Sequence, residues 1–214
     1  MVKLIVYIEG PPEVPGADSS VLFREGFNRL LSQKFPNQDF NLVIQSIGSV
    51  TQTKIYLKKI IDENIEGVLL IDLETSKSNK DEKLNNYSPL DTSRIYFMIQ
   101  EMEAWILSQP EKIEIYGEQE NYKRKNPIAI AENALLKNKH PEDIEKPSEK
   151  LNTILSQTFE IIKERHGKQK KAPKRYKKTY DGPNLIAILD LDNLESTFED
   201  VKSMVSYIEA KKYK

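Results

Sequence analysis

Lys3–Ile8 is an unbroken run of apolar residues after its first position, the pattern of a strand covered on both faces. It stops at Glu9-Gly10-Pro11-Pro12, which cannot continue a strand. Phe23, Phe27, Leu30, Leu31 and Phe35 then recur at helical spacing and predict an amphipathic helix. Asn41–Ile47 predicts a second strand ending at Gly48, and Tyr56, Leu57, Ile60 and Ile61 a second helix. Gly67–Asp72 is a third buried strand, and Arg94–Ile99 a fourth that leads into a short helix, Gln100–Ser108, closed by Pro110. Strands alternating with helices over short connections imply parallel pairing and right-handed crossovers. Thr75–Thr92 is polar and rich in Lys, Asn and Ser, so it is expected to be an exposed loop, free to move.

Beyond Pro110 the periodicity predicts helices over Ile128–Leu136, Leu151–Ile162 and Phe198–Ile208. Leu185–Leu189 is too short for its period to separate helix from strand. The expected architecture is therefore α/β: a mainly parallel sheet with flanking helices over residues 1–109, and a mainly helical C-terminal region over 110–214 packed on it.

Composition narrows the chemistry. Cys is absent and His occurs only at positions 140 and 166, which removes thiolate chemistry, disulfides and His- or Cys-rich metal sites. The chain is read as cytoplasmic. No apolar run approaches the ~20 residues of a membrane span, and the first residues do not have the pattern of a secretory signal. Neither G-x-x-x-x-G-K-[ST] nor G-x-G-x-x-G occurs, and no G-x-S-x-G elbow holds a serine nucleophile. Carboxylates remain, and their usual work is holding Mg²⁺ or moving protons.

Three acids fall at predicted strand ends, where ligands bind in sheets of this type: Glu9 after the first strand, Asp72 and Glu74 after the third. If strand geometry persists to Glu74, it and Asp72 point the same way, and a Mg²⁺ ion is the usual remedy for their repulsion. Glu9 then serves as a further ligand or a proton carrier. The alternative is that these acids simply open solvated loops. Glu103 lies in an apolar stripe with Ile99, Ile106 and Leu107 and so needs a partner, either a cation at the site or a Lys or Arg in an ordinary salt bridge. Glu101 borders the same stripe, and Glu13 is near enough in sequence to reach the cleft.

The net charge of -1 excludes a protein that is basic throughout, but Lys163–Lys178 holds nine Lys or Arg against one Glu. Lys170, Lys171, Lys174, Arg175 and Lys178, with Tyr176 among them, have the composition of a phosphate-tracking patch with a ring for stacking on a base. Read blandly, the same run is a solvated arm.

Taken in order, the pieces VYIEGPPE, LFREGFNRLL, GVLLIDLE and FMIQEMEAWILSQPEKIEIYG, then Lys178-Thr179-Tyr180, resemble the bacterial family of domain of unknown function 4276, and the acids resemble a Toprim site. The resemblance implies a Toprim-like fold and a Mg²⁺- or Mn²⁺-dependent nuclease acting on DNA or RNA. It further implies a role in phage defence or abortive infection beside a partner ATPase. Carried over, Glu9 matches the proton-transferring glutamate, Asp72 and Glu74 the metal-binding acids, and Glu103 the glutamate of the M-E-x-W helix. Two departures stand out: Glu74 replaces the commoner Asp, and Gly48-Ser49-Val50 lacks a basic residue expected after the second strand. The rival expectation is a non-catalytic subunit that docks on an ATPase and senses nucleic acid or nucleotide.

Overall fold

A computed structural model describes residues 2–12, 18–36, 38–165 and 168–212. The apolar runs form β1 (Val2–Ile8), β2 (Phe40–Ser46), β3 (Gly67–Asp72) and β4 (Ile95–Met98), all parallel, in the order β2-β1-β3-β4. The crossover from β1 to β2 is α1 (Asp18–Leu31), and that from β2 to β3 is α2 (Thr53–Asp62). Because β2 lies on one side of β1 and β3 on the other, the two crossovers diverge and leave a crevice beyond the carboxyl ends of β1 and β3. The register brings those ends level, with Ile8 opposite Leu70 and the Glu9 N–H donating to the Leu70 carbonyl at 3.0 Å.

Alternate residues of the strands serve two apolar layers, as a period of two requires. Leu4, Val6, Ile8, Val68, Leu70 and Met98 face a layer shared with α1, while Tyr7, Leu69, Ile71, Ile95 and Phe97 face α2. The first layer continues without a break into the C-terminal half, through Trp105, Tyr116, Leu151, Leu185 and Val205. The chain after β4 comprises α4 (Glu103–Leu107), α5 (Pro110–Gln119), α6 (Pro147–Thr158), α7 (Asp181–Ile186), α8 (Leu191–Thr197) and α9 (Glu199–Glu209).

It also contains a second sheet that the sequence reading lacks. β5 (Lys123–Arg124), β6 (Phe159–Arg165) and β7 (Lys168–Pro173) pair antiparallel, so most of the basic segment is a hairpin rather than an arm. The helix expected over Leu151–Ile162 ends at Thr158. Phe159 turns extended, and the Phe-Glu-Ile-Ile sequence suits a pleated surface with partners on both sides.

Three other expectations are corrected. Ile128–Leu136 holds only a 3₁₀ turn, because Asn126 Oδ1 takes the Ile128 N–H and Asn133 Oδ1 the Leu135 N–H, both at 3.0 Å, in place of helical partners. Pro110 opens α5 at its first position, where a missing N–H costs nothing. Thr75–Thr92 carries a short helix, α3 (Lys80–Asn85), and is tied down. Asp200 of α9 accepts from Lys80 Nζ through both oxygens at 2.8 Å and from the Phe97 N–H of β4 at 3.1 Å. Leu185–Leu189, left open by its period, is the end of α7 and the turn after it.

Helices α1 and α7 meet at Gly26, where an added Cβ would stand 2.5 Å from the Pro183 carbonyl oxygen. Gly→Ala inside a helix ordinarily stabilises by roughly 0.5–1 kcal/mol. Here the neighbour is backbone and cannot step aside, so Gly26→Ala is expected to destabilise by about 1–3 kcal/mol, readable in a urea melt.

Candidate functional site

At the crevice the chain places a pocket of about 410 Å³. Glu9 and Asp72 lie in it from the ends of β1 and β3, and Lys178 and Thr179 border it from the segment before α7. Glu9 is fixed by the backbone around it: Oε1 accepts the Val50 N–H at 3.1 Å and Oε2 the Asp72 N–H at 3.2 Å. Asp72 Oδ1 accepts the Met102 N–H just ahead of α4, at 2.9 Å.

Burial pushes the Asp72 carboxyl well above the usual carboxylate range. The negative charges of Glu9, Glu103 and Glu101 push the same way, against the lowering effect of Lys178. Glu9 is raised too, first by burial and then by Glu74, despite its two backbone hydrogen bonds. Crowded acids of raised pKa in a crevice are a mark of functional sites.

Glu103 is fully buried at the start of α4. Its Oε1 accepts from the Tyr176 hydroxyl at 2.9 Å, whereas Oε2 has no hydrogen-bond partner and faces Lys178 Nζ at 3.6 Å. Lys178 thus spans the distance between the buried glutamate and the pocket. Burial alone lowers its pKa, but Glu103, Asp72 and Glu101 outweigh that and raise it, so it stays charged. Burial, then the charge of Glu103, raises the Tyr176 phenol above its ordinary value and keeps it a donor.

Glu74 does not join Asp72. The strand ends at Asp72 and Glu74 takes a left-handed backbone, φ +61°, which breaks the alternation that would align the two side chains. Its carboxylate is 60% exposed and faces Lys83 at 3.8 Å. Among the described residues, no three acids or imidazoles are gathered into a ready cage for a cation. The donor chemistry still suits one: Glu9 and Asp72 offer the hard oxygens that Mg²⁺ and Mn²⁺ prefer, while Glu103 Oε2 is already ion-paired with Lys178, the ordinary salt bridge that its place in an apolar stripe allowed. Glu101 has another task, accepting the Ser148 N–H at the start of α6 at 3.1 Å. Glu13, His166 and Gly167 lie outside the described residues.

The basic segment divides. Lys170 and Lys171 are exposed on β7, Lys171 within 3.5 Å of Glu160, and Arg175 is exposed beside the hairpin. Two members do not fit a phosphate track as they stand. Lys174 is buried and paired with the fully buried Asp181 at 2.6 Å, and the Tyr176 hydroxyl points inward to Glu103, so neither presents itself to a nucleic acid. Both are corrected to structural partners. Lys178 moves from the track to the pocket.

Sequence reasoning missed Asp181, which also accepts from Tyr116 OH at 2.7 Å and the Lys177 N–H at 2.6 Å. It also missed the pocket wall of Pro11, Pro12, Phe23, Met102 and Pro183. Pro-Pro after a first strand was the available signal for the wall. An acid directly before Gly-Pro and an apolar run was the one for Asp181.

Fold and site together define an α/β protein with a charged pocket at the switch point of a parallel sheet. The chain belongs to the family described as Domain of unknown function (DUF4276), which matches residues 24–209. No curated protein and no solved structure matches it. Among the described residues, no helix is long and apolar enough to cross a membrane.

Proposed function

We propose that the protein is a metal-dependent nuclease of the Toprim type, acting on DNA or RNA in the cytoplasm as the effector of a phage-defence or abortive-infection system with a partner ATPase. The observation that carries this reading is the convergence of Glu9 and Asp72 at the switch-point pocket, with Lys178 between it and the buried Glu103. Asp72 and Glu9 would hold Mg²⁺ or Mn²⁺, while Glu74, turned toward Lys83, adds its negative charge from nearby. When bound, such an ion polarises a scissile phosphate and makes an attacking water more acidic. Where Glu9 does not ligate the ion, it would instead take the proton of that water. Lys178 would neutralise charge on the phosphate, and Glu103, with Tyr176, holds Lys178 in place.

A second reading is favoured by one observation, the outward turn of Glu74. It makes the chain a non-catalytic subunit that docks on an ATPase and senses nucleic acid or nucleotide, its acids structural. The two part on metal. A nuclease cleaves a labelled strand with Mg²⁺ and stops in chelator. A docking subunit associates with the ATPase in chelator, and the complex leaves the strand intact.

On either reading the hairpin is the exposed basic surface. Changing Lys170 and Lys171 to Gln together should flatten the log–log salt dependence of nucleic-acid binding by about 1.5, two phosphate contacts' worth. The loss should be equal across sequences, because phosphate contacts carry no base information. Isotherms at four salt concentrations measure it, and an unchanged slope removes the hairpin from the interface.

A further inference from the structure

The pocket is larger and more apolar than phosphodiester chemistry alone requires. Beyond the carboxylates it is walled by Pro11, Pro12, Met102, Pro183 and Phe23, with Ser19, Ser49 and Thr179 also in the lining. Phe23 reaches that position because Gly10 has no side chain: a Cβ there would stand 2.5 Å from the ring. Gly48, at φ +77°, turns the loop after β2 so that Ser49 also borders the pocket. A largely apolar pocket with hydroxyl-bearing residues and a lysine in its lining suits a heteroaromatic base joined to an anion. Its volume, about 410 Å³, is at the small end of organic-ligand pockets.

We propose that this pocket seats a single unpaired nucleotide, its base against the proline and methionine wall and its phosphate toward Lys178, so that the protein acts on single strands and not within an intact duplex. The inference rests on the nuclease reading for the direction of the phosphate. A base stacked in a duplex reaches such a pocket only by flipping out of the helix, whereas a single strand offers it freely. Glu9 and Asp72 repel the phosphate, and Lys178 offsets them at that end of the pocket.

The test uses the full chain and three fluorescein-labelled decamers: a single strand, its duplex, and a single strand of abasic sugar phosphates. Anisotropy is expected to show the single strand bound about tenfold or more tighter than either of the others, the effect of one seated base. Thr179→Trp, at an exposed position on the rim, should fill the pocket and bring the single strand down to the duplex level without weakening the duplex. Its melting temperature without ligand reports its folding, and Ser49→Trp from another part of the rim serves if it fails. Equal affinity for the three decamers, no binding to any of them, or a single-strand preference that survives the tryptophan overturns the proposal. Cleavage of the same decamers with Mg²⁺ separates the two ideas. Base-dependent binding without cleavage defeats the nuclease and keeps the base pocket, while equal cleavage of strand and duplex does the reverse.

Discussion

Asp72→Asn is expected to abolish Mg²⁺-dependent cleavage and at the same time to raise the melting temperature at pH 8. The carboxyl at this position is raised by burial and by three neighbouring acids, only partly relieved by Lys178. Its folded pKa therefore lies above the unfolded value of about 3.9, and the folded state binds the extra proton. Linkage then fixes the sign: the wild type loses stability as pH climbs from about 4 through the raised value. Asn carries no charge, keeps an oxygen for the Met102 N–H, and escapes that loss. A gain of roughly 1 kcal/mol would appear as about 2–4 °C in a chain of this size, shrinking to nothing toward pH 3.5. Glu9→Gln should also stop cleavage but should lower the melting temperature. Both Glu9 oxygens accept backbone N–H groups, and an amide can serve only one of them. The N–H left over costs about 1–3 kcal/mol. Paired cleavage assays with Mg²⁺ and melts in chelator between pH 3.5 and 8 check both signs, and a destabilised Asp72→Asn at pH 8 in chelator would contradict the account.

The largest loss of stability is expected at Asp181→Ala. Lys174 Nζ, Tyr116 OH and the Lys177 N–H all converge on this buried carboxylate, so removing it strands an ammonium with 4% of Lys174 exposed. Breaking a buried pair from one side costs about 3–5 kcal/mol, or roughly 6–20 °C. Asp181→Asn, which keeps an acceptor for Tyr116, should lose less. The same logic governs Lys174→Gln, which should lower the denaturation midpoint while leaving the salt dependence of nucleic-acid binding untouched. Chemical denaturation of the three variants decides whether Lys174 is a strut or a phosphate contact.

The central sheet was legible because its strands are buried on both faces and need unbroken apolar runs: Lys3–Ile8 and Gly67–Asp72 can hardly be anything else. The second sheet was not. Leu151, Ile154 and Leu155 set a helical stripe that Phe159 and Ile162 continue by spacing alone, and only pairing with β5 and β7 stops it. The site shows the same division. Glu9, Asp72 and Glu103 follow from where acids fall relative to strand ends and apolar stripes. The outward turn of Glu74 depends on a left-handed residue whose N–H donates to the Gln100 carbonyl at 2.7 Å, a pairing across 26 positions that no local pattern announces. Lys174 was misread for a related reason: within a charge run nothing marks the one lysine that a buried aspartate claims.

The bond from Phe97 to Asp200 also bears on how copies of the chain avoid sticking together. β4 closes one margin of the four-stranded sheet, and an open margin is a template for intermolecular strand pairing. Two of its outward N–H groups are already taken, Ile95 by the Thr92 carbonyl and Phe97 by Asp200, which Lys80 pins in place. An aspartate on a helix thus acts as a plug against runaway polymerisation. Loss of the Asp200 carboxylate alone would reopen the Phe97 N–H to a partner strand.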